Sequence, residues 1–150
     1  MTSSKPFLFA CALLFSTPFL AHAGGASASF QVSVRVVNSC SITADPLRFP
    51  DYDPRSHGVT GQGQISLTCT RGAPVQVFME GEQVLRNATG SAVAFTLSGP
   101  DGRPWNDSSS VSAIGQGKEA IRIPVKGTVA GGQKAPDGLY SQTMVARVVF

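Results

Sequence analysis

The chain has 150 residues, of which 14% are charged and 42% hydrophobic, and its formal net charge is +3 at pH 7. That length holds one domain with a real core, not two. The arginines and lysines are scattered, so no basic patch points to a nucleic-acid partner.

Residues 1–23 read as a secretory signal peptide. Lys5 is its only charge, and the apolar run from Phe7 to Leu20 is broken by Ser16, Thr17 and Pro18. Ala21, His22 and Ala23 then form an A-x-A cleavage site. The run falls short of the roughly 20 residues a spanning helix needs, which disfavours a membrane anchor. A lipoprotein cleavage at Cys11 is disfavoured because the apolar region continues past it. Cleavage after Ala23 removes Lys5 and leaves a nearly neutral mature chain.

An alternating ladder follows. Phe30, Val32, Val34 and Val36 are separated by Gln31, Ser33 and Arg35. Period-2 alternation places the four apolar side chains on one face of an extended strand. Such a strand, behind a loose leader, can fold back into its own domain or be given to a neighbour. Residues 24–37 therefore read as a donor-strand segment and 38–150 as the domain proper.

Cys40 and Cys69 are the cysteines that remain after cleavage. Export implies an oxidising compartment, so one disulfide is expected, contributing about 3–4 kcal/mol by loop closure. With His57 they fall short of a tetrahedral metal set, and no cofactor is expected.

Val37 to Thr43 reads as a short strand with Cys40 and Ile42 on one side, ended by Pro46. Leu47 to Pro54 is irregular, anchored by Phe49 and Tyr52, and Arg55 to Gln62 reads as loop. Ile65, Leu67 and Cys69 form an inward row, as do Val75, Val77 and Met79, and then Val93, Phe95 and Leu97. Val84 to Ser91 is ambiguous between strand and loop. Gly99 to Gly102 is a turn, and Asp107 to Ser112 a surface loop. Ala120 to Val129 is a strand in which Pro124 suggests an edge or a bulge. After a Gly/Pro loop, Leu139 to Phe150 is the last strand, with Tyr140 near its start. Short alternating segments between turn signals indicate an all-β sandwich or barrel. Because the sequence stops at Phe150 in strand pattern, an immunoglobulin-like sandwich is expected to leave a groove uncovered, which the ladder could fill.

Several separated motifs carry a family resemblance over Phe30 to Phe150. They are the alternating run into Cys40, Ser41 and Ile42; then Leu47, Phe49, Tyr52, Asp53 and Pro54; then Gly63, Ile65, Cys69, Thr70, Gly72 and Pro74. Trp105, Gly117, Gly138 and Tyr140 follow in order. In these the chain resembles the spore coat protein U family of archaic chaperone–usher pilus subunits. The resemblance implies an incomplete immunoglobulin-like β-sandwich, completed by a donor strand from a neighbouring subunit or a periplasmic chaperone. It also implies an outer-membrane usher, export through the periplasm of a Gram-negative bacterium to a surface fibre, and a role in attachment and biofilm formation. The donor residues would be Phe30, Val32, Val34 and Val36.

Other classes fare worse. A secreted carbohydrate-binding or adhesin module is the alternative, with Tyr52 and Trp105 as a sugar platform, yet core packing is the plainer reading of both. An added adhesin domain is not expected in a mature chain of this length. An enzyme is not expected. His57 has no nucleophile-elbow partner, Asp51 and Asp53 read as turn formers, and Gly61 to Gly63 lacks the lysine of a phosphate loop.

Overall fold

Strands account for all the regular structure in residues 24–150, the part of the chain that the computed structural model describes. The signal peptide expected over 1–23, with Cys11, lies outside the described residues. The strands are β1 (Cys40–Arg48), β2 (Gly58–Cys69), β3 (Pro74–Glu80), β4 (Val84–Arg86), β5 (Ala92–Ala94), β6 (Thr96–Ser98), β7 (Ser110–Ile114), β8 (Ile121–Ala130) and β9 (Val145–Val149). Val36 to Phe150 forms one compact unit.

One sheet of the domain has the order β1-β2-β8-β6, the second β7-β3-β9, and β4-β5 form a small hairpin. All pairings are antiparallel. The first order reproduces the A-B-E-D sheet of an immunoglobulin domain, and β3-β9 reproduces the C-F half of the opposite sheet. In that fold the last strand lies on the far side of F. Among the described residues no strand pairs with that side of β9. The fold is an incomplete immunoglobulin-like β-sandwich.

Alternation builds the core. Cross-strand partners share a face, so Ile65 and Leu67 on β2 line up with Ile123 and Ile121 on β8. Val75, Val77 and Met79 face them from β3, and all but the half-buried Ile121 lie in the buried core. Each such side chain contributes roughly 1.5–3 kcal/mol on burial. Trp105 is 1% exposed. Its indole Nε1–H donates to the Val77 carbonyl at 2.9 Å, which satisfies the one polar group that burial would orphan.

Several sequence expectations change. β1 does not stop at Pro46; it bulges between Asp45 and Arg48 and continues, as an edge strand can. Gly58 to Gln62 is strand rather than loop, because it pairs with Lys126 to Ala130 of β8. Its glycines hide the pattern for a packing reason. Gly61 and Gly127 are direct partners and leave a notch in the inner face of the sheet. Leu47 and Phe49 lie in that notch. A Cβ on Gly127 would sit 2.7 Å from the Phe49 ring and 2.9 Å from Leu47. The Phe49 ring then meets Phe95 edge-on at 6.0 Å.

Ser110 to Ser112, expected as loop, belongs to β7 and pairs with Gln76 to Phe78. The row Val93, Phe95, Leu97 is buried, but it spans two strands in different sheets. β8 is central, not an edge. It tolerates Pro124 because β6 reaches only Lys126 to Thr128, so β8 has a single strand neighbour at Pro124. The last strand is shorter than expected: β9 begins at Val145, and Leu139 to Met144 is irregular.

Gly127→Ala should destabilise the domain by about 1–3 kcal/mol, because a methyl there displaces Phe49 or the sheet. Urea unfolding of the purified protein checks this, and an unchanged midpoint would mean the ring does not occupy the notch.

Candidate functional site: an open groove between two sheet edges

Burial stops one strand short of two facing sheet edges. On β1, Ile42 is the direct partner of Leu67, so the two side chains share the inner face. Leu67 is 0% exposed, but Ile42 is 37% exposed. Ala44, partner of the buried Ile65, is exposed as well. The second sheet repeats the pattern. Val77 and Met79 on β3 are buried, whereas their partners Val148 and Ala146 on β9 are only half-buried. By parity Phe150 continues this inward row, and it is exposed. Each edge therefore offers an uncovered apolar row together with a backbone edge that no strand of the described chain pairs.

The two ends of this groove differ. At one end Cys40 and Cys69 are direct partners joined by a disulfide. The chain entering β1 is fixed beside the bridge: Thr70 N–H donates to the Ser39 carbonyl at 2.9 Å, and Ser39 N–H donates to Thr70 Oγ1 at 3.0 Å.

The other end opens into a cavity of about 660 Å³ between the segments 47–54 and 135–142. Leu47, Phe49, Val59, Leu85 and Val129 supply apolar lining; Arg48, Asp51 and Asp137 supply charge. Hydrogen bonds hold the walls in place. Tyr52 Oη donates to the Ala130 carbonyl at 2.9 Å and accepts from Gln133 N–H at 3.1 Å. The Gln133 side-chain amide pairs with the Ala94 backbone as a strand would, accepting from its N–H at 2.7 Å and donating to its carbonyl at 2.8 Å. Tyr140 Oη donates back to the Pro136 carbonyl at 2.9 Å. That bond is the tyrosine corner of immunoglobulin-like folds, before strand F.

The residues singled out in the sequence fall as follows. Phe30, Val32, Val34 and Val36 lie in no strand and are each at least 80% exposed. Tyr52 and Trp105 are packed against or within the core and do not form a joint platform. His57 is exposed. Asp53 is a turn former: its Oδ1 accepts from Arg55 N–H at 2.9 Å, and its carboxylate pairs with the Arg55 guanidinium. No group of three or more potential metal ligands occurs among the described residues. The groove residues Ile42, Ala44, Ala146 and Val148 were not singled out beforehand. Their alternation is the same as that of a covered row, so only the strand order reveals that nothing lies over them.

A family model described as the Spore Coat Protein U domain matches residues 26–147. The chain belongs to that family. No curated protein matches the chain. Among solved structures it is similar to the crystal structure of the CsuC–CsuE chaperone–tip adhesion subunit pre-assembly complex, from the archaic chaperone–usher Csu pili of Acinetobacter baumannii. The TM-score is 0.58 at 18% identity, over 77% of this chain and 40% of the matched one. This chain thus spans about two fifths of the matched one, and the likeness is one of fold.

Two measurements check this description. In the monomeric protein Leu67→Ala should cost about 2–5 kcal/mol, and Ile42→Ala, one strand over on the same face, under about 1 kcal/mol. Equal costs in urea unfolding would show that the groove is covered. The Asp53 carboxyl should titrate below its ordinary 3.8, held down first by the Arg55 backbone N–H and then by the Arg55 side chain. A depressed carboxyl adds stability above its unfolded pKa and loses it as pH falls through the folded value. Because the backbone is the larger cause, Arg55→Ala should keep most of the depression, and Arg55→Pro should remove more of it. Carbon-detected NMR titration distinguishes the two.

Proposed function

We propose that this protein is a structural subunit of an archaic chaperone–usher surface fibre and polymerises by donor-strand exchange. The observation that carries the reading is the abrupt loss of burial at Ile42 and Val148, on the two facing edge strands themselves, while their partners one strand in are buried. A strand laid between β1 and β9 meets unpaired backbone on both sides and an apolar row below. This is β-augmentation, in which main-chain hydrogen bonds supply affinity and alternate side chains fill pockets.

The ladder has the chemistry for that place. Phe30, Val32, Val34 and Val36 of one copy fill the groove of the next, each burial being worth roughly 1.5–3 kcal/mol. The contact joins two different surfaces, so it does not close on itself and propagates as a filament. Residues 1–23 direct export, 24–37 are the donor segment, and 38–150 form the acceptor domain. A periplasmic chaperone covers the groove before assembly, consistent with the chaperone–subunit complex that the fold resembles. An outer-membrane usher then exchanges the chaperone strand for the next subunit's leader. The product is a fibre on the cell surface serving attachment and biofilm formation, with a structural rather than a catalytic task.

An unheated SDS gel of the protein, purified from cells that also make its chaperone and usher, tests the reading. A ladder of multimers that collapses to one band on boiling is expected, and Val34→Arg should abolish it. A single band with and without heating would overturn the reading.

A further inference from the structure

The sequence twice joins an aspartate to a following proline, at Asp45–Pro46 and at Asp53–Pro54. This is the least acid-stable peptide link that ordinary residues make, for two chemical reasons. The proline nitrogen takes a proton more readily than a secondary amide nitrogen and so departs more readily. The aspartate carboxylate can also reach its own main-chain carbonyl carbon and close a ring on it. Both bonds lie between Cys40 and Cys69, inside the span that the disulfide closes.

The fold treats the two bonds differently. Asp53 is held in a turn: its Oδ1 accepts from the Arg55 N–H at 2.9 Å, and its carboxylate pairs with the Arg55 guanidinium. Its main-chain carbonyl accepts from the Ser56 N–H at 2.8 Å, and the Pro54 carbonyl accepts from the Gly132 N–H at 2.9 Å. Attack on that bond requires the carboxylate to leave Arg55 and the turn to open. Asp45 is not held in this way. Asp45 and Pro46 are both exposed, and the Asp45 carboxylate pairs with no cation among the described residues. The strand is irregular at this bond as well. Its register with β2 shifts between Asp45 and Arg48, so Pro46 has no cross-strand partner on β2.

We propose that Asp45–Pro46 is a self-cleaving bond, at which the Asp45 carboxylate cuts its own link to Pro46 in mild acid while the disulfide keeps the two pieces joined. A solvent proton goes to the Pro46 nitrogen. A carboxylate oxygen attacks the Asp45 carbonyl carbon. The new C–O bond closes a cyclic anhydride as the C–N bond breaks, and its electron pair leaves with the nitrogen as a secondary amine. Water then opens the anhydride and restores both carboxyls. The net change is hydrolysis of one peptide bond, with one water consumed.

The first piece ends at Asp45 and carries Cys40; the second begins at Pro46 and carries Cys69. The pairing of Cys40 to Asp45 with Gln64 to Cys69 also joins them. The consequence for a fibre rests on the proposed function. There the ladder lies on the first piece and most of the acceptor domain on the second. A cut subunit keeps its place through the bridge and one strand's pairing alone, so a reductant releases what acid by itself does not.

The purified folded chain tests the bond. Held at about pH 4, where ordinary aspartates are partly ionised, it should run as one band on a non-reducing gel and as two pieces on a reducing one. Mass spectrometry should place the new ends at Asp45 and Pro46. Cutting at Asp53–Pro54 should be roughly three- to tenfold slower, the size of one net hydrogen bond. Arg55→Pro, which removes the N–H donor, should narrow that difference. In urea at the same pH, where the turn is gone, the two bonds should be cut at equal rates. Asp45→Glu keeps the charge but needs a larger ring, and should leave the first bond whole. A chain that stays intact under reduction, faster cutting at Asp53–Pro54, or a preference that persists in urea overturns the proposal.

Heat-sensitive multimers made with the chaperone and usher give the second readout. Acid followed by reductant should disperse them without boiling, and either treatment alone should not. If no multimers form, the fibre reading fails and the cut in the isolated chain stands. If multimers of cut subunits survive the reductant, the consequence for the fibre is overturned and the self-cleavage stands.

Discussion

Backbone hydrogen bonding is the constraint on which the rest of this structure depends. Every strand residue other than proline carries a donor and an acceptor, and at a sheet edge half of them face outward with nothing to bind but water. Exposed edges are tolerable when the adjoining surface is polar. Here two of them flank an apolar row, so water solvates the edges but not the floor between them. An extended chain with alternating apolar side chains is the kind of segment that would satisfy both edges and cover the floor.

An edge strand with a neighbour on one side only is weakly held, and β1 has three additional attachments. The disulfide fastens its first residue to β2. The register shift after Asp45 turns the strand inward, and the paired glycines of β2 and β8 receive Leu47 and Phe49 at its far end. Tyr52, just beyond, is bonded to β8 and to the loop after it. The middle of β1, from Ser41 to Asp45, has none of these and is supported by β2 alone. The strand is thus pinned at both ends and left open along the stretch where a partner strand would lie. On the facing edge, the tyrosine corner at Tyr140 sets the course of the chain into β9.

Much of this was legible in the sequence, and the failures have identifiable physical causes. The rows Ile65–Leu67–Cys69, Val75–Val77–Met79 and Ile121–Ile123–Val125 read directly, because a covered sheet face demands alternation. Gly58 to Gln62 read as loop because the inner face there is filled by side chains from another segment, so the strand's own glycines are correct and uninformative. Ser110 to Ser112 read as loop because an outer strand with a solvated face can be built from serines. Pro46 and Pro124 read as breakers because proline forfeits a donor, and both sit where a donor would have no acceptor strand. The groove could not be read from β1 or β9 alone, since covered and uncovered rows have the same composition. It follows from strand order, which is a property of the whole chain.

The position of the disulfide has a mechanical consequence. Cys40 is the first residue of β1, three residues after the end of the ladder's reach at Val37. Tension applied through the leader arrives at Cys40 and passes through a covalent bond to Cys69 in β2, a strand bonded on both sides. Peeling β1 away from its sheet, hydrogen bond by hydrogen bond, is therefore not open to a pulling force. The bridge also withdraws the 29-residue span between the cysteines from anything stretching can extend, roughly 100 Å of contour length. Load is delivered to the centre of the sheet in shear, where many hydrogen bonds must fail together.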